Sequence, residues 1–277
     1  MRPLATADHA VSGILVPAKF APARDSRARL MTSRAQLVAG RLLRVHGAPR
    51  PTPSLFTYPG LTSKPWHERD SRWFRDWLPA LEEQTPAILE EYLQVRESGR
   101  ASDYRVAASD HQDGLHSAPD EWHWATLIDR GHVQPEMWEQ CPRTASALEA
   151  VPRLCVGDMP FSFAFFSTLK AGSRIAPHTA PANLRLRLHL PLIVPPESAG
   201  ACGIRVGDEA RRWEVGKALL FDDAFVHSVW NETAEERVVL LADIWHPDLS
   251  ADEIQAVQAM FREVEAMSAA RKAKEPA

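Results

Sequence analysis

The residues of this sequence best suited to chemistry lie at 178–190, HTAPANLRLRLHL. Along an extended strand, side chains point alternately to opposite faces. Leu184, Leu186, Leu188 and Leu190 then share one face, and Arg185, Arg187 and His189 share the other. Two guanidiniums and an imidazole in a row repel one another unless an anion lies among them or solvent screens them. On the outside of a barrel such a stripe is a solvated surface. Facing inward, it is a device for gripping carboxylates, which arginine forks do bidentately.

His178 precedes that strand, and His227 ends a second β segment, FDDAFVH at 221–227. Two histidines facing an anion-binding strand suggest a metal site, because imidazole suits iron and other borderline metals. The usual non-haem iron site adds a carboxylate, commonly two residues after the first histidine, and Ala180 stands there instead. The residues by themselves leave two readings open: a two-histidine site completed by water, or no metal. Asp222 and Asp223 are candidates for a third ligand, but a turn pair or a support for a histidine is the preferred reading. Asn183 and Asn231 read as turn or strand-end residues, and His246 as a packing residue. Cys202, in a Gly-rich turn, reads as neither nucleophile nor ligand.

Short β-rich segments separated by Gly/Pro turns would position these groups. They fall at 161–169, 184–194, 203–206, 218–221, 227–230 and 237–245, without interleaved helices, which predicts a small antiparallel barrel or sandwich at about 160–246. Helical signals flank it. Trp73, Phe74, Trp77, Leu78 and Leu81 recur at helical spacing, with Pro79 expected to kink or end that helix. Thr85-Pro86 reads as an N-cap and first turn, Ile88, Leu89, Tyr92 and Leu93 as an apolar stripe, and Ser98-Gly99 as a stop. Ser250 and Glu253 form a capping box ahead of an amphipathic helix at about 251–272. The fold class expected is therefore α+β, helices around a β barrel.

The 277 residues are 45% hydrophobic and 25% charged, ordinary for a globular protein, and no apolar run approaches a membrane span. No signal peptide is apparent, and three cysteines without CxxC spacing fit reduced thiols in a cytoplasm. The net charge of −4 is uneven: residues 1–50 hold nine Arg/Lys against Asp8 and Asp25. We read residues 1–52 as a basic, partly flexible extension able to touch an acidic partner, and 53–277 as the folded body. The acidic body argues against nucleic acid as a partner.

Taken together, these residues resemble the aspartyl/asparaginyl β-hydroxylase family of iron- and 2-oxoglutarate-dependent dioxygenases. The matching motifs are H-T-A-P-A-N-L-R-L-R-L-H at 178–189 and G-x-x-L-x-F-D-D-x-F-x-H at 216–227, then Val229-Trp230-Asn231, Arg237 and Trp245-His246-Pro247-Asp248-Leu249. Weaker matching runs upstream through Tyr58-Pro59-Gly60-Leu61, Trp122, Gly131, Cys141-Pro142-x-Thr144 and Phe166-Ser167-x-Leu169, so that the resemblance covers about 56–250. It implies a double-stranded β-helix (jelly-roll, cupin-like) core and two iron ligands, His178 and His227, with a small residue at Ala180 in place of the acid. It implies that Arg237 and Ser167 hold the distal carboxylate of 2-oxoglutarate, with Arg187 and His189 beside its iron-proximal carboxylate. Arg185 is implied to grip a substrate carboxylate, and Trp122 is the best candidate to wall the substrate cleft. The implied cofactors are Fe(II) and 2-oxoglutarate with O2 as co-substrate, and the implied reaction is hydroxylation of an unactivated carbon of a small-molecule or peptidyl carboxylate.

Two departures bear on the substrate. The stretch 115–121, LHSAPDE, lacks the arginine that the animal enzymes place just before the tryptophan matching Trp122, and Val226 replaces a frequent glutamate. Two rival readings use the same residues: a halogenase with chloride in the position opened by Ala180, and a dicarboxylate-binding module without turnover.

Overall fold

The computed structural model describes residues 51–103 and 121–272. The basic arm at 1–50 and the arginine-free stretch at 115–120 lie outside the described residues. Eleven strands are present among those described: β1 (Trp66–His67), β2 (Trp122–Asp129), β3 (His132–Val133), β4 (Phe163–Leu169), β5 (Arg174–His178), β6 (Arg185–Ile193), β7 (Cys202–Val206), β8 (Glu209–Arg211), β9 (Leu219–Phe221), β10 (His227–Asn231) and β11 (Arg237–Trp245). They form a seven-stranded sheet in the order β1-β9-β6-β11-β4-β2-β3 and a four-stranded sheet in the order β5-β10-β7-β8. The pairings are antiparallel throughout. This is the two-sheet architecture of a double-stranded β-helix, and with its flanking helices the class is α+β.

Alternation along the strands sorts the side chains into two cores. Leu186, Leu188, Leu190 and Leu192 of β6 and Val238, Leu240, Ala242 and Ile244 of β11 pack outward with Phe74, Leu78, Ile88, Tyr92 and Leu148. The helices contributing to that layer are α1 (Leu78–Glu83), α2 (Thr85–Glu97) and α4 (Pro142–Glu149), with Met137 of α3 (Pro135–Gln140) beside them. The opposite faces meet between the sheets, where Phe165, Phe221, Val239 and Leu241 of the larger sheet pack with Ile175, Ile204, Val206 and Val229 of the smaller. The leucines of β6 thus take the helix side, and Arg185, Arg187 and His189 are left facing the interior between the sheets.

The helices differ in detail from the sequence reading. Pro79 neither kinks nor ends a helix. It sits in the first turn of α1, where the missing N–H costs nothing, and residues 72–77 are turns. Thr85 is not an N-cap, since its hydroxyl donates backward to Glu82 O at 2.6 Å. Helices α3 and α4, each opened by a proline, were hidden by their shortness. The carboxylate of Glu91 on α2 closes the N-terminus of α4, accepting from the backbone N–H groups of Arg143 (2.8 Å) and Thr144 (2.7 Å). The capping box of α5 (Ala251–Lys272) is present as read: Ser250 N–H donates to Glu253 Oε2 at 2.9 Å and Glu253 N–H to Ser250 Oγ at 3.2 Å. Strands β1, β2, β3, β5 and β8 fall outside the predicted segments, and β2 extends the larger sheet well before residue 160. No helix among the described residues is long and apolar enough to cross a membrane.

Candidate active site

The smaller sheet brings the two histidines together. β5 and β10 run antiparallel with His178 directly opposite His227, and the ring centroids are 4.0 Å apart. Each ring is oriented by its own backbone: His178 Nδ1 lies 2.8 Å from Ala176 O, and His227 Nδ1 lies 3.0 Å from Phe225 O. A carbonyl only accepts, so both Nδ1 atoms carry a proton, and in the neutral ring the lone pair is on Nε2. Burial, with His178 adding to it, pushes the pKa of His227 down to about 3, so its ring is neutral at physiological pH. Neutral imidazole oriented through Nδ1–H is the form that ligates a metal. Ala180 is buried, its N–H donating to Asp223 O at 2.7 Å. Among the described residues, no group of three or more His, Cys, Asp or Glu side chains is placed to hold a metal ion.

A strap at 52–56 fixes the loops that carry these groups. Thr52 N–H donates to Ala224 O, Ser54 N–H to Ala180 O, and Leu55 and Phe56 N–H to Pro181 O. Asn183, read from sequence as a turn residue, locks the same loop through two bonds. Its Oδ1 accepts from Tyr58 N–H at 2.6 Å and its Nδ2 donates to Tyr58 O at 3.0 Å.

Arg185 and Arg187 point between the sheets as the alternation requires, but the anions among them belong to the chain. Arg187 forks onto Asp243, with Nε 2.9 Å from Oδ1 and Nη2 3.0 Å from Oδ2. Arg185 Nη2 bonds Asp223 Oδ2 at 2.7 Å, and Arg187 Nη1 approaches the same oxygen at 3.3 Å. Burial favours the neutral acid at Asp223, but Arg185 and then Arg187 outweigh it and hold the carboxyl well below the usual carboxylate range. The result is a buried quartet of two arginines and two aspartates. Asp223 thus supports two arginines and not a histidine, the partner considered in the sequence reading. Asp243 was missed; its signal was a single acid in the apolar strand RVVLLADIW. Arg185 retains a buried Nη1 with no hydrogen-bond partner among the described residues.

Its neighbour Asp222 behaves oppositely. Burial raises its pKa to about 8; the charge of Asp223 adds to that, while the Ala224 N–H bond at 2.9 Å and Arg185 oppose it. From about pH 4 to pH 8 the folded chain holds a proton on Asp222 that the unfolded chain has released, so this group lowers stability as pH rises. Asp222→Asn, which mimics the protonated acid, is expected to exceed the wild type at pH 8 by at least about 1 kcal/mol. It should also flatten the decline, as read by urea denaturation at several pH values. Equal pH dependence in the two proteins would contradict the assignment.

The far end of the interior holds Arg237, only 1% exposed. Its Nη1 donates to Ser167 O (3.0 Å) and Oγ (3.2 Å), and its guanidinium lies 4.8 Å over the Trp213 ring. Among the described residues no carboxylate lies within ion-pair distance of it, and its Nε has no hydrogen-bond partner. Burial lowers its pKa to about 10, which still leaves it cationic. Ser167 Oγ also accepts from Trp122 Nε1–H at 2.8 Å. With both lone pairs used, its own proton is left for another acceptor. Trp122 is thus placed against Ser167, and packed edge-on against Trp124 at 4.8 Å. His189, buried beside them, is held neutral by burial first and by Arg237 and Arg187 next, and its Nε2 has no hydrogen-bond partner among the described residues.

A lone buried cation, a serine proton and an imidazole nitrogen form one end of the site, and two oriented histidines form the other. That donor set fits a metal ion with a bound dicarboxylate. The family model described as aspartyl/asparaginyl β-hydroxylase matches residues 82–247. The chain belongs to the aspartyl/asparaginyl β-hydroxylase family. It is 30% identical over 216 residues to the aspartyl/asparaginyl β-hydroxylase of Mus musculus, covering 75% of this chain and 26% of that protein. It is 32% identical over 213 residues to aspartate β-hydroxylase domain-containing protein 2 of Homo sapiens, covering 76% and 54%. The chain thus spans about a quarter to a half of the length of these relatives. A solved prolyl hydroxylase from Trichoplax adhaerens is similar at 11% identity and a TM-score of 0.43, over 63% of this chain and 81% of that one.

Proposed function

We propose that this member of the β-hydroxylase family is an Fe(II)/2-oxoglutarate-dependent dioxygenase. Its substrate is an unactivated carbon, the β-carbon of an Asp/Asn-like residue or of a small carboxylate. The observation that carries the reading is Arg237, a buried guanidinium with no carboxylate partner among the described residues, in the same interior as the His178–His227 pair.

In this reading His178 and His227 hold the iron through Nε2. Arg237 and the Ser167 hydroxyl take the distal carboxylate of 2-oxoglutarate, with Trp122 fixing the serine. His189 and Arg187 face the proximal carboxylate, and the unpartnered Nη1 of Arg185 takes a carboxylate oxygen of the substrate. When bound, iron, 2-oxoglutarate and O2 supply the oxidising chemistry, with succinate and carbon dioxide as by-products. The chain positions both carboxylates, matches their charge and, through Phe165, Phe221, Val239 and Leu241, excludes water. We assign residues 53–277 to the dioxygenase domain, residues 1–52 to a basic arm for an acidic partner, and the protein to the cytoplasm.

The test is succinate formation from 2-oxoglutarate with Fe(II) and O2, with free and peptidyl carboxylates screened as substrates. Succinate is expected from the wild type and absent from His178→Ala and His227→Ala, and the product should be hydroxylated with or without chloride. Failure of the wild type to bind both iron and 2-oxoglutarate overturns the reading.

A further inference from the structure

We propose that Trp213 is a positioning residue that decides which nitrogen of His189 carries the proton, and so presents Nε2–H to the anionic ligand. The inference rests on the reading that His189 and Arg237 hold 2-oxoglutarate. Trp213 follows β8 and is buried in the apolar cluster between the sheets. Its Nε1 lies 3.3 Å from His189 Nδ1. An indole nitrogen only donates, so His189 Nδ1 accepts and the imidazole proton resides on Nε2. That Nε2 is buried without a hydrogen-bond partner among the described residues. The edge-to-face contact of Phe221 with the His189 ring, centroids 4.9 Å apart, holds its orientation.

The other tautomer is penalised twice. It would set His189 Nδ1–H against Trp213 Nε1–H, two buried donors without an acceptor. It would also turn the Nε2 lone pair toward a carboxylate. Each mismatch costs on the order of a buried hydrogen bond. Trp213 does more than hold His189, because its ring is also the surface over which the Arg237 guanidinium lies at 4.8 Å. One side chain therefore touches two of the groups assigned to the dicarboxylate, His189 and Arg237, one for each carboxylate, whereas Trp122 of the same cluster bonds only Ser167 among them. Trp66, for comparison, packs at a tilt against Phe221 at 5.6 Å and receives Arg211 on its ring at 4.6 Å, away from His189 and Arg237.

The experiment uses the full chain and two readouts, neither of which is turnover. Histidine ring nitrogens are observed by proton–nitrogen NMR in the ligand-free protein, with His189→Gln assigning the signal. 2-Oxoglutarate binding is measured by calorimetry with Mn(II) in place of iron. Wild-type His189 is expected as the Nε2–H tautomer. In Trp213→Phe, which keeps a ring but loses the N–H, the Nδ1–H form should appear and the dissociation constant should rise about tenfold. Trp66→Phe, a comparable loss in the same cluster, should stay within about twofold of wild type. Wild-type binding with His189 as Nδ1–H overturns this inference alone, as does a Trp213→Phe protein with unchanged tautomer and affinity. A wild type that takes up no 2-oxoglutarate overturns the dicarboxylate reading, and this inference with it. If Trp213→Phe does not fold, the wild-type tautomer and binding decide.

Discussion

Replacing Arg237 with methionine is expected to stabilise the ligand-free protein while abolishing its affinity for 2-oxoglutarate. The two effects have one cause. A guanidinium that is 1% exposed has lost its hydration, and what it gains in return is two bonds to Ser167 and the face of Trp213. Those contacts do not neutralise its charge. Methionine keeps much of the volume and returns nothing to be solvated, so Arg237→Met should unfold at higher denaturant, by about 1–2 kcal/mol. Binding moves the other way, since a charge-assisted pair formed in a desolvated pocket is lost, and the dissociation constant for 2-oxoglutarate should rise at least about a hundredfold. Thermal unfolding with and without 2-oxoglutarate and Mn(II) reads both. The wild type should gain stability with ligand according to mass action, and the variant should not. A variant that is less stable than the wild type yet still stabilised by 2-oxoglutarate would assign Arg237 to structure alone.

The same comparison shows what the sequence could and could not reveal about the site. The alternation of β6 was legible because leucine and arginine differ so sharply that only one face can pack against helices. The pairing of His178 with His227 joins β10, which the sequence marks at 227–230, to β5, which it does not mark, because RIAPH is short and carries a proline. An inward-facing cationic stripe does need an anion, but that anion need not be a ligand. Asp223 and Asp243 supply it from 38 and 56 residues away in the chain, and periodicity says nothing about partners at that separation. Trp213 was hidden for a different reason. A tryptophan in a turn has no pattern to betray that its N–H meets a histidine 24 residues earlier. Pro79 failed more simply, since the apolar spacing continued through turns ahead of it and proline at a helix start looks identical to proline at a break.

Loss of Asp243 is expected to be the most damaging single change in the interior. In Asp243→Ala, Arg187 loses both bonds of its fork, Phe163 N–H loses its acceptor at 3.0 Å, and Arg185 Nε loses a carboxylate oxygen at 3.4 Å. Two buried guanidiniums would then share Asp223 alone, one charge short of neutral. Breaking a buried pair from one side typically costs about 3–5 kcal/mol, because the remaining charge stays desolvated. Added salt should restore little of that, since ions do not enter the interior to screen it. Removing the partner as well should help: Asp243→Ala combined with Arg187→Met leaves one arginine and one aspartate, again neutral. The double variant should be more stable than the sum of its single losses predicts, by a coupling of about 1–3 kcal/mol measured in a denaturation cycle. Additive losses, or an Asp243→Ala protein within about 1 kcal/mol of wild type, would show that the quartet does not act as a unit. The outcome matters for function because Arg185 and Arg187 are the groups proposed to meet substrate and 2-oxoglutarate. If the quartet is neutral by itself, a carboxylate arriving at Arg185 answers to the charge of the proposed metal and to Arg185 Nη1, rather than to an uncompensated row of cations.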